Sequence, residues 1–237
     1  MTGLVCVASG KGSPGGSTLA MALALAAPAN DHVTLVDADP DGGDLAAVLG
    51  APVNPGLVTL AAATRHRFPI GELERHLQPA APGVALLAAP SSSEQAAASL
   101  TSLGRLFAEM LATSNAIVDV GRWRPESAAA ALVRGAGATV LVVHPTVAGV
   151  SHARFQFEDL ATRCPRVIVV CRGERPYNAE EVAAAIGCAS TVALPADRVG
   201  ASMISGRTSE RWLRRSALAR AARTLRSSLA QVEEAVS

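Results

Sequence analysis

Near the start of the chain, Gly10-Lys11-Gly12-Ser13-Pro14-Gly15-Gly16-Ser17-Thr18 has the residue types and spacing of an anion site. An apolar strand runs into this loop and an apolar helix leaves it at Leu19. Glycines let backbone N–H groups converge, and a helix N-terminus adds partial positive charge, so together they cradle a phosphate. The ordinary phosphate loop reads G-x-x-x-x-G-K-[ST]. Gly10 and Gly15 fall on its glycines and Ser17 on its hydroxyl, but Gly16 stands where its lysine belongs. Downstream, Ala116-Ile117-Val118-Asp119-Val120-Gly121 is an apolar run that meets an acid. Such an acid suits a magnesium ion shared with the Ser17 hydroxyl. Asp37 and Asp39 close a further apolar run. The plainer alternatives are a Gly-rich turn that only links strand to helix, and acids that only cap the next turn.

These residues need a frame that brings separate strand ends together. Short Val- and Leu-rich runs occur at Leu4–Ala8, Val33–Val36, Val84–Ala88, Ala116–Val120, Thr139–Val143, Arg166–Val170 and Thr191–Leu194. Continuous apolar runs of this length fit strands buried on both faces. Helical stretches alternate with them: Ser17–Ala27, Ser93–Ala112, Glu126–Gly135, Val150–Thr162, Ala179–Ile186 and a last helix over about 209–236. The rhythm predicts an α/β fold, a doubly wound, mostly parallel sheet flanked by helices, in one domain over 1–237. The Pro-rich stretch from Asp41 to Gly83 is the least regular, with short helices expected at Asp44–Leu49 and Ile70–Leu77. All three acids then fall at carboxyl ends of strands, where open α/β sheets place ligands.

Composition narrows the field. The chain has 237 residues, 49% of them hydrophobic and 17% charged, which excludes a disordered chain. A formal net charge of +1 gives no global field for nucleic acid or anionic lipid, and no nucleic-acid partner is expected. Of 21 Lys and Arg residues only Lys11 is a lysine, a compositional bias that leaves most arginines without special meaning. Cys6, Cys164, Cys171 and Cys188 show no C-x-x-C spacing and read as free, mostly buried thiols in a reducing compartment. With no charged leader and no apolar run of membrane-spanning length, a cytoplasmic protein is expected. His66, His76, His144 and His152 form no ligand spacing and read as structural or surface residues.

The loop resembles that of the MinD/ParA family of deviant Walker P-loop ATPases, K-G-G-x-G-K-[ST]-[ST]. The resemblance runs from Leu4 to about Arg207. It implies ATP and Mg²⁺ as ligands, bound by Gly10, Lys11, Gly12, Gly15, Gly16, Ser17 and Thr18. Lys11 falls on the family's signature lysine, which reaches a partner's nucleotide across a dimer. Asp37 falls on an acid near the magnesium, Asp39 on the acid that orients the attacking water, and Asp119 on the D-x-G acid that holds the metal with Ser17. Asp39 and Lys11 would thus be the catalytic pair. Many relatives read adenine with an Asn at the end of a later strand. Here the sequence is Val169-Val170-Cys171-Arg172-Gly173, and Arg172 is the residue placed to stack on a base. Leu194-Pro195-Ala196-Asp197 resembles the family's strand–Pro–x–Asp segment near the base. Arg122 and Trp123 line a dimer interface or, on the plainer reading, cover the sheet.

Gly16 changes the expected chemistry. One charge-assisted hydrogen bond contributes about 1.5–3 kcal/mol. Its loss weakens nucleotide binding roughly tenfold to a hundredfold, and slows hydrolysis more, because that charge acts mainly in the transition state. The TadZ/CpaE-like branch also carries a small residue at this place. The resemblance therefore implies a weakly or non-hydrolysing ATP-binding protein that dimerises and positions a pilus or secretion (Tad/Flp) machine at the cell pole. An active partitioning or division-site ATPase and a nucleotide-free interaction protein are the alternatives. Arg207, Arg211, Arg214, Arg215, Arg220, Arg223 and Arg226 crowd the C-terminal segment, where Leu218, Ala221, Leu225, Leu229 and Val232 recur at helical spacing. The expected arrangement is a final helix on the sheet with a solvated basic face, with peripheral membrane or DNA contact as the functional alternative.

Overall fold

The computed structural model describes residues 3–28, 30–65, 69, 71–197, 202 and 216–230. Its strands are β1 (Gly3–Ser9), β2 (Val33–Asp37), β3 (Gln78–Ala81), β4 (Val84–Leu87), β5 (Asn115–Arg122), β6 (Ala138–Val143), β7 (Val167–Arg172) and β8 (Thr191–Leu194). They form one sheet in the order β3-β4-β2-β5-β1-β6-β7-β8. Every neighbouring pair is parallel except β3–β4. β1 lies in the middle, with β5 on one side and β6 on the other. The loop leaving β1 therefore opens at the switch point of the sheet.

The helices are α1 (Gly16–Leu25), α2 (Leu45–Leu49), α3 (Leu57–Ala63), α4 (Ser93–Ala112), α5 (Ala130–Gly135), α6 (Val147–Ala161), α7 (Ala179–Ile186) and α8 (Ala217–Ala230). Alternate residues of β1 serve two cores. Val5 and Val7 pack with apolar residues of α1, α2 and α8. Leu4, Cys6 and Ala8 pack with those of α3 to α7. Both faces being apolar is why the strands read as unbroken runs rather than as alternation.

The sequence misses β3 and α3. β3 is an edge strand containing Pro79, antiparallel to β4. Proline removes a ladder donor and is tolerated only at such an edge. α3 has seven residues behind Pro55 and Gly56 and buries Leu57, Leu60 and Ala61. The helix expected at Ile70–Leu77 is a 3₁₀ turn over Leu73–His76, with Ile70 outside the described residues. α5 starts at Ala130, four residues later than expected, because the Ser127 hydroxyl takes the Ala129 N–H at 3.2 Å. α6 starts earlier than expected, at Val147, where the Thr146 hydroxyl accepts from the Gly149 N–H at 3.1 Å.

α8 packs on α1 and β8 through Leu218, Ala222, Leu225 and Leu229. Residues 209–215 and 231–236 of the expected helix lie outside the described residues, as do Arg207, Arg211, Arg214, Arg215 and Val232. One arginine departs from the expected solvated face. Arg226 is 6% exposed and donates to Asn115 at 3.1 Å and Asp31 at 3.5 Å. Among the described residues no helix is long and apolar enough to cross a membrane. The four cysteines are free, with Cys6, Cys164 and Cys171 buried.

Candidate functional site

β1 ends at Ser9, and the Gly10 N–H donates to Val142 O of β6 at 2.8 Å, fixing where the loop leaves the sheet. The chain crosses Gly12 at φ 89°, Ser13 at φ 51° and Gly15 at φ 96° before α1 begins. Gly15 is the residue before the helix, and its left-handed conformation turns the first N–H groups of α1 into the loop. Gly15 O accepts the Leu19 N–H at 2.9 Å, so the helix starts at once. Pro14 is buried beneath the loop, while Lys11, Gly12 and Ser13 are exposed.

Gly16 sits tight against β1. A Cβ built on it would lie 2.1 Å from Ser9 Oγ and 3.3 Å from Ser9 Cβ. Ser9 is only 9% exposed, and among the described residues its hydroxyl has no hydrogen-bond partner. A longer side chain at 16 requires that hydroxyl to rotate away. The serine was not a sequence candidate; only the packing of β1 on α1 reveals it.

The acids converge. Asp37 of β2 and Asp119 of β5 are Cα partners in neighbouring parallel strands, and Asp119 is in turn paired with Val7 of β1. Both acids are 1% exposed. They follow Leu35 and Ile117, which belong to the core under α1, so they lie on the α1 face of the sheet. Asp37 accepts the Leu45 N–H at the start of α2 at 3.0 Å and the Asp39 N–H at 3.5 Å. Burial, reinforced by the Asp119 charge, pushes the Asp37 carboxyl up to about 7. Burial likewise pushes Asp119 up to about 6, although the Ser17 hydroxyl and the Gly121 N–H at 3.1 Å hold it down. Asp39 is less enclosed; burial raises its pKa, opposed mainly by the Asp41 N–H at 2.8 Å. Asp41 pairs with Arg124. Gly121 leaves room for Asp39, since a Cβ there would lie 2.2 Å from the carboxyl carbon.

This donor set fits magnesium. Two buried carboxylates and one hydroxyl form a hard oxygen site whose negative charge no protein cation neutralises among the described contacts. No group of three or more His, Cys, Asp or Glu is arranged as a metal cage among the described residues. Magnesium seldom uses such cages; it takes one or two carboxylates and completes its shell with water and substrate phosphates.

Lys11 does not point at the acids. Its Nζ lies 3.1 Å from Nε2 of His152 on α6, donating to an imidazole that must be neutral to accept. Among the four histidines read as structural or surface residues, His152 thus contacts a candidate site residue. His144 also borders the loop, 3.7 Å from a Cβ built on Gly12. His76 is structural, bonded to Thr59 at 2.7 Å and Glu72 at 3.1 Å, and His66 lies outside the described residues.

α6 is tied to the site a second way. Trp123, 1% exposed, donates its backbone N–H to Ser9 O at 3.1 Å and its indole N–H to Asp159 at 2.9 Å. Gln156 donates to Trp123 O at 2.8 Å. Trp123 therefore bolts the end of β5 to the start of the loop and to α6, within the core rather than at a surface. Arg122 is exposed. The other side of α6 shows Val147 and Phe155, 70% and 69% exposed, along a groove of ≈ 760 Å³ shared with Tyr177 of the segment before α7.

At the far end of the loop, the Gly173 N–H donates to Leu194 O at 2.8 Å, which joins the ends of β7 and β8. Asp197 accepts the Leu218 N–H at 3.0 Å and so caps α8. Arg172 reaches from β7 to the loop: its Cδ and Nη1 each lie 3.9 Å from a Cβ built on Gly15, as does Thr18 Cβ.

The fold has known counterparts. A ParA family ATPase from Chlorobium tepidum TLS superposes with a TM-score of 0.79 at 18% identity, covering 95% of this chain and 99% of that one. The fold is that of the ParA and MinD ATPases. The septum site-determining protein MinD of Pyrococcus horikoshii OT3, solved with Mg-ADP, gives a TM-score of 0.73 at 18% identity over 98% of each chain. A chain of the MinC:MinD cell division protein complex of Aquifex aeolicus gives 0.68 at 17% identity over 94% of this chain and 95% of that one. No protein-family model matches the sequence, and no curated protein matches it. The ParA/MinD likeness is thus one of fold.

Proposed function

We propose that this chain is a MinD/ParA-type protein that binds Mg-ATP in the Gly10–Thr18 loop, hydrolyses it slowly or not at all, and self-associates around the nucleotide. The observation that carries the reading is the register of Asp37 and Asp119 beneath the N-terminus of α1, with Ser17 facing Asp119. Backbone N–H groups of the loop and α1 bind phosphate oxygens. Ser17, Asp119 and Asp37 are the residues that hold magnesium, and the ion when bound neutralises phosphate charge. Asp39, beside Gly121 and half-exposed, is the acid placed to orient a water. Gly16 withholds the lysine charge that stabilises the developing transition state, so turnover is slow or absent, while the backbone N–H groups, Ser17 and the metal keep binding.

Lys11 is exposed and bonded to His152, so it is available to a second copy once that bond breaks. The MinC:MinD complex of the fold relative supports a protein partner as the output. The exposed groove beside Phe155 is of the kind partners use. The small residue at 16 supports the TadZ/CpaE-like reading, with a Tad/Flp pilus or secretion machine as that partner and a polar position in the cell.

The test is calorimetric titration with Mg-ATP and Mg-ADP, following self-association by light scattering. ATP binding with dimerisation that fails in Lys11→Ala supports the reading. Robust turnover abolished by Asp39→Ala would favour an active partitioning or division-site ATPase instead. No binding at millimolar ATP would leave a nucleotide-free interaction protein.

A further inference from the structure

We infer that Arg172 supplies, from the end of β7, a phosphate-facing positive charge for nucleotide binding, where the loop itself has Gly16 in place of a lysine. The inference rests on the nucleotide-binding reading above and assigns the residue that completes that site. β7 lies two strands from β1, so a residue at its carboxyl end reaches the loop only with a long side chain. Arg172 is that residue. Its Cδ and Nη1 are both 3.9 Å from a Cβ built on Gly15, the last loop residue before α1. Thr18 Cβ approaches the same point at 3.9 Å, so the Arg172 guanidinium and the Thr18 side chain flank one stretch of the anion cradle.

Arg172 is half-buried, and among the described residues its guanidinium has no hydrogen-bond or ion-pair partner. Partly buried arginines ordinarily pair with an acid. The other nearby cation is committed elsewhere, since Lys11 bonds His152. A guanidinium binds phosphate oxygens through two parallel N–H groups and needs no lysine-shaped niche. It also approaches from outside the loop, which avoids the space beside Gly16 already taken by the Ser9 hydroxyl. The sequence alone places Arg172 at the base-binding end. Its approach to the Gly15 position places it instead beside the phosphate loop.

The two roles separate by experiment. Mg-ATP and Mg-tripolyphosphate, which has the phosphates and no base, are titrated into wild type, Arg172→Ala and Arg172→Lys, with circular dichroism to confirm folding. The expected result is that Arg172→Ala weakens both ligands by the same factor, roughly tenfold to a hundredfold, and that Arg172→Lys loses less. A loss for Mg-ATP with tripolyphosphate unchanged would overturn the inference and return Arg172 to the base. Unchanged binding of both would overturn it while leaving the nucleotide reading intact. Wild type that binds neither ligand would overturn the nucleotide reading and this inference with it.

Discussion

Asp37 and Asp119 pair in register and almost fully buried, and the cost of that placement depends on pH. Their carboxyls, pushed to about 7 and about 6 from an ordinary 3.8, hold protons in the folded chain where the unfolded chain has released them. Stability of the ligand-free protein therefore falls as pH rises from about 4 to about 7, and the full cost remains above that. Thermal melts at pH 5.5 and pH 8 are expected to show the higher Tm at pH 5.5. Asp37→Asn is expected to raise stability at pH 8, by on the order of 1–3 kcal/mol, and to flatten the profile. A second residue-scale expectation concerns Gly121, at φ 63° with no room for a Cβ beside Asp39. Gly121→Ala is expected to cost about 2–4 kcal/mol in urea unfolding, from left-handed backbone and the clash together.

α8 and α6 show how elements are held. Arg226 anchors α8 through Asn115 and Asp31, yet its Nη1 is buried without a partner, and burial lowers its pKa. Desolvating an arginine offsets much of what its bonds contribute. Arg226→Ala is expected to destabilise by about 2–4 kcal/mol through lost packing and an orphaned Asn115. Arg226→Met, which keeps the stem, is expected to recover most of that in chemical denaturation. α6 is held by Trp123, whose indole N–H meets an Asp159 that also takes a two-point bond from Arg163. Trp123→Phe is expected to cost about 1–2 kcal/mol by the same measurement. Nucleotide affinity is expected to change less, because the bond to Ser9 O at the start of the loop is made by the backbone N–H of residue 123, which the substitution keeps.

Across the whole molecule, nucleotide should act as a staple between strands. The loop follows β1, the acids lie on β2 and β5, and Arg172 ends β7. A ligand touching all four ties the middle of the sheet to both of its flanks. Mg-ATP at a hundred times its Kd is expected to add about 2.7 kcal/mol, seen as a rise of several degrees in Tm. Mg²⁺ without nucleotide is expected to give a smaller rise, larger at pH 8 than at pH 5.5, because the carboxylates must give up protons to bind it.

The regular parts of this fold and the loop with its acids are legible in the sequence, because buried parallel strands need unbroken apolar runs and a phosphate cradle needs glycines before a helix. Lys11, Asp37, Asp39, Asp119 and Ser17 stand out for the same reason: few other jobs demand those types at those spacings. β3 and α3 do not, since an edge strand with Pro79 and a seven-residue helix are too short to show a period. The Ser9 contact with Gly16, the Lys11–His152 bond, the Trp123 bolt and the reach of Arg172 to Gly15 are decided only in three dimensions. Each joins residues on different elements, and no local periodicity or spacing encodes such a meeting. The chain by itself determined which groups could do chemistry; the order of strands in the sheet decided which of them share a site.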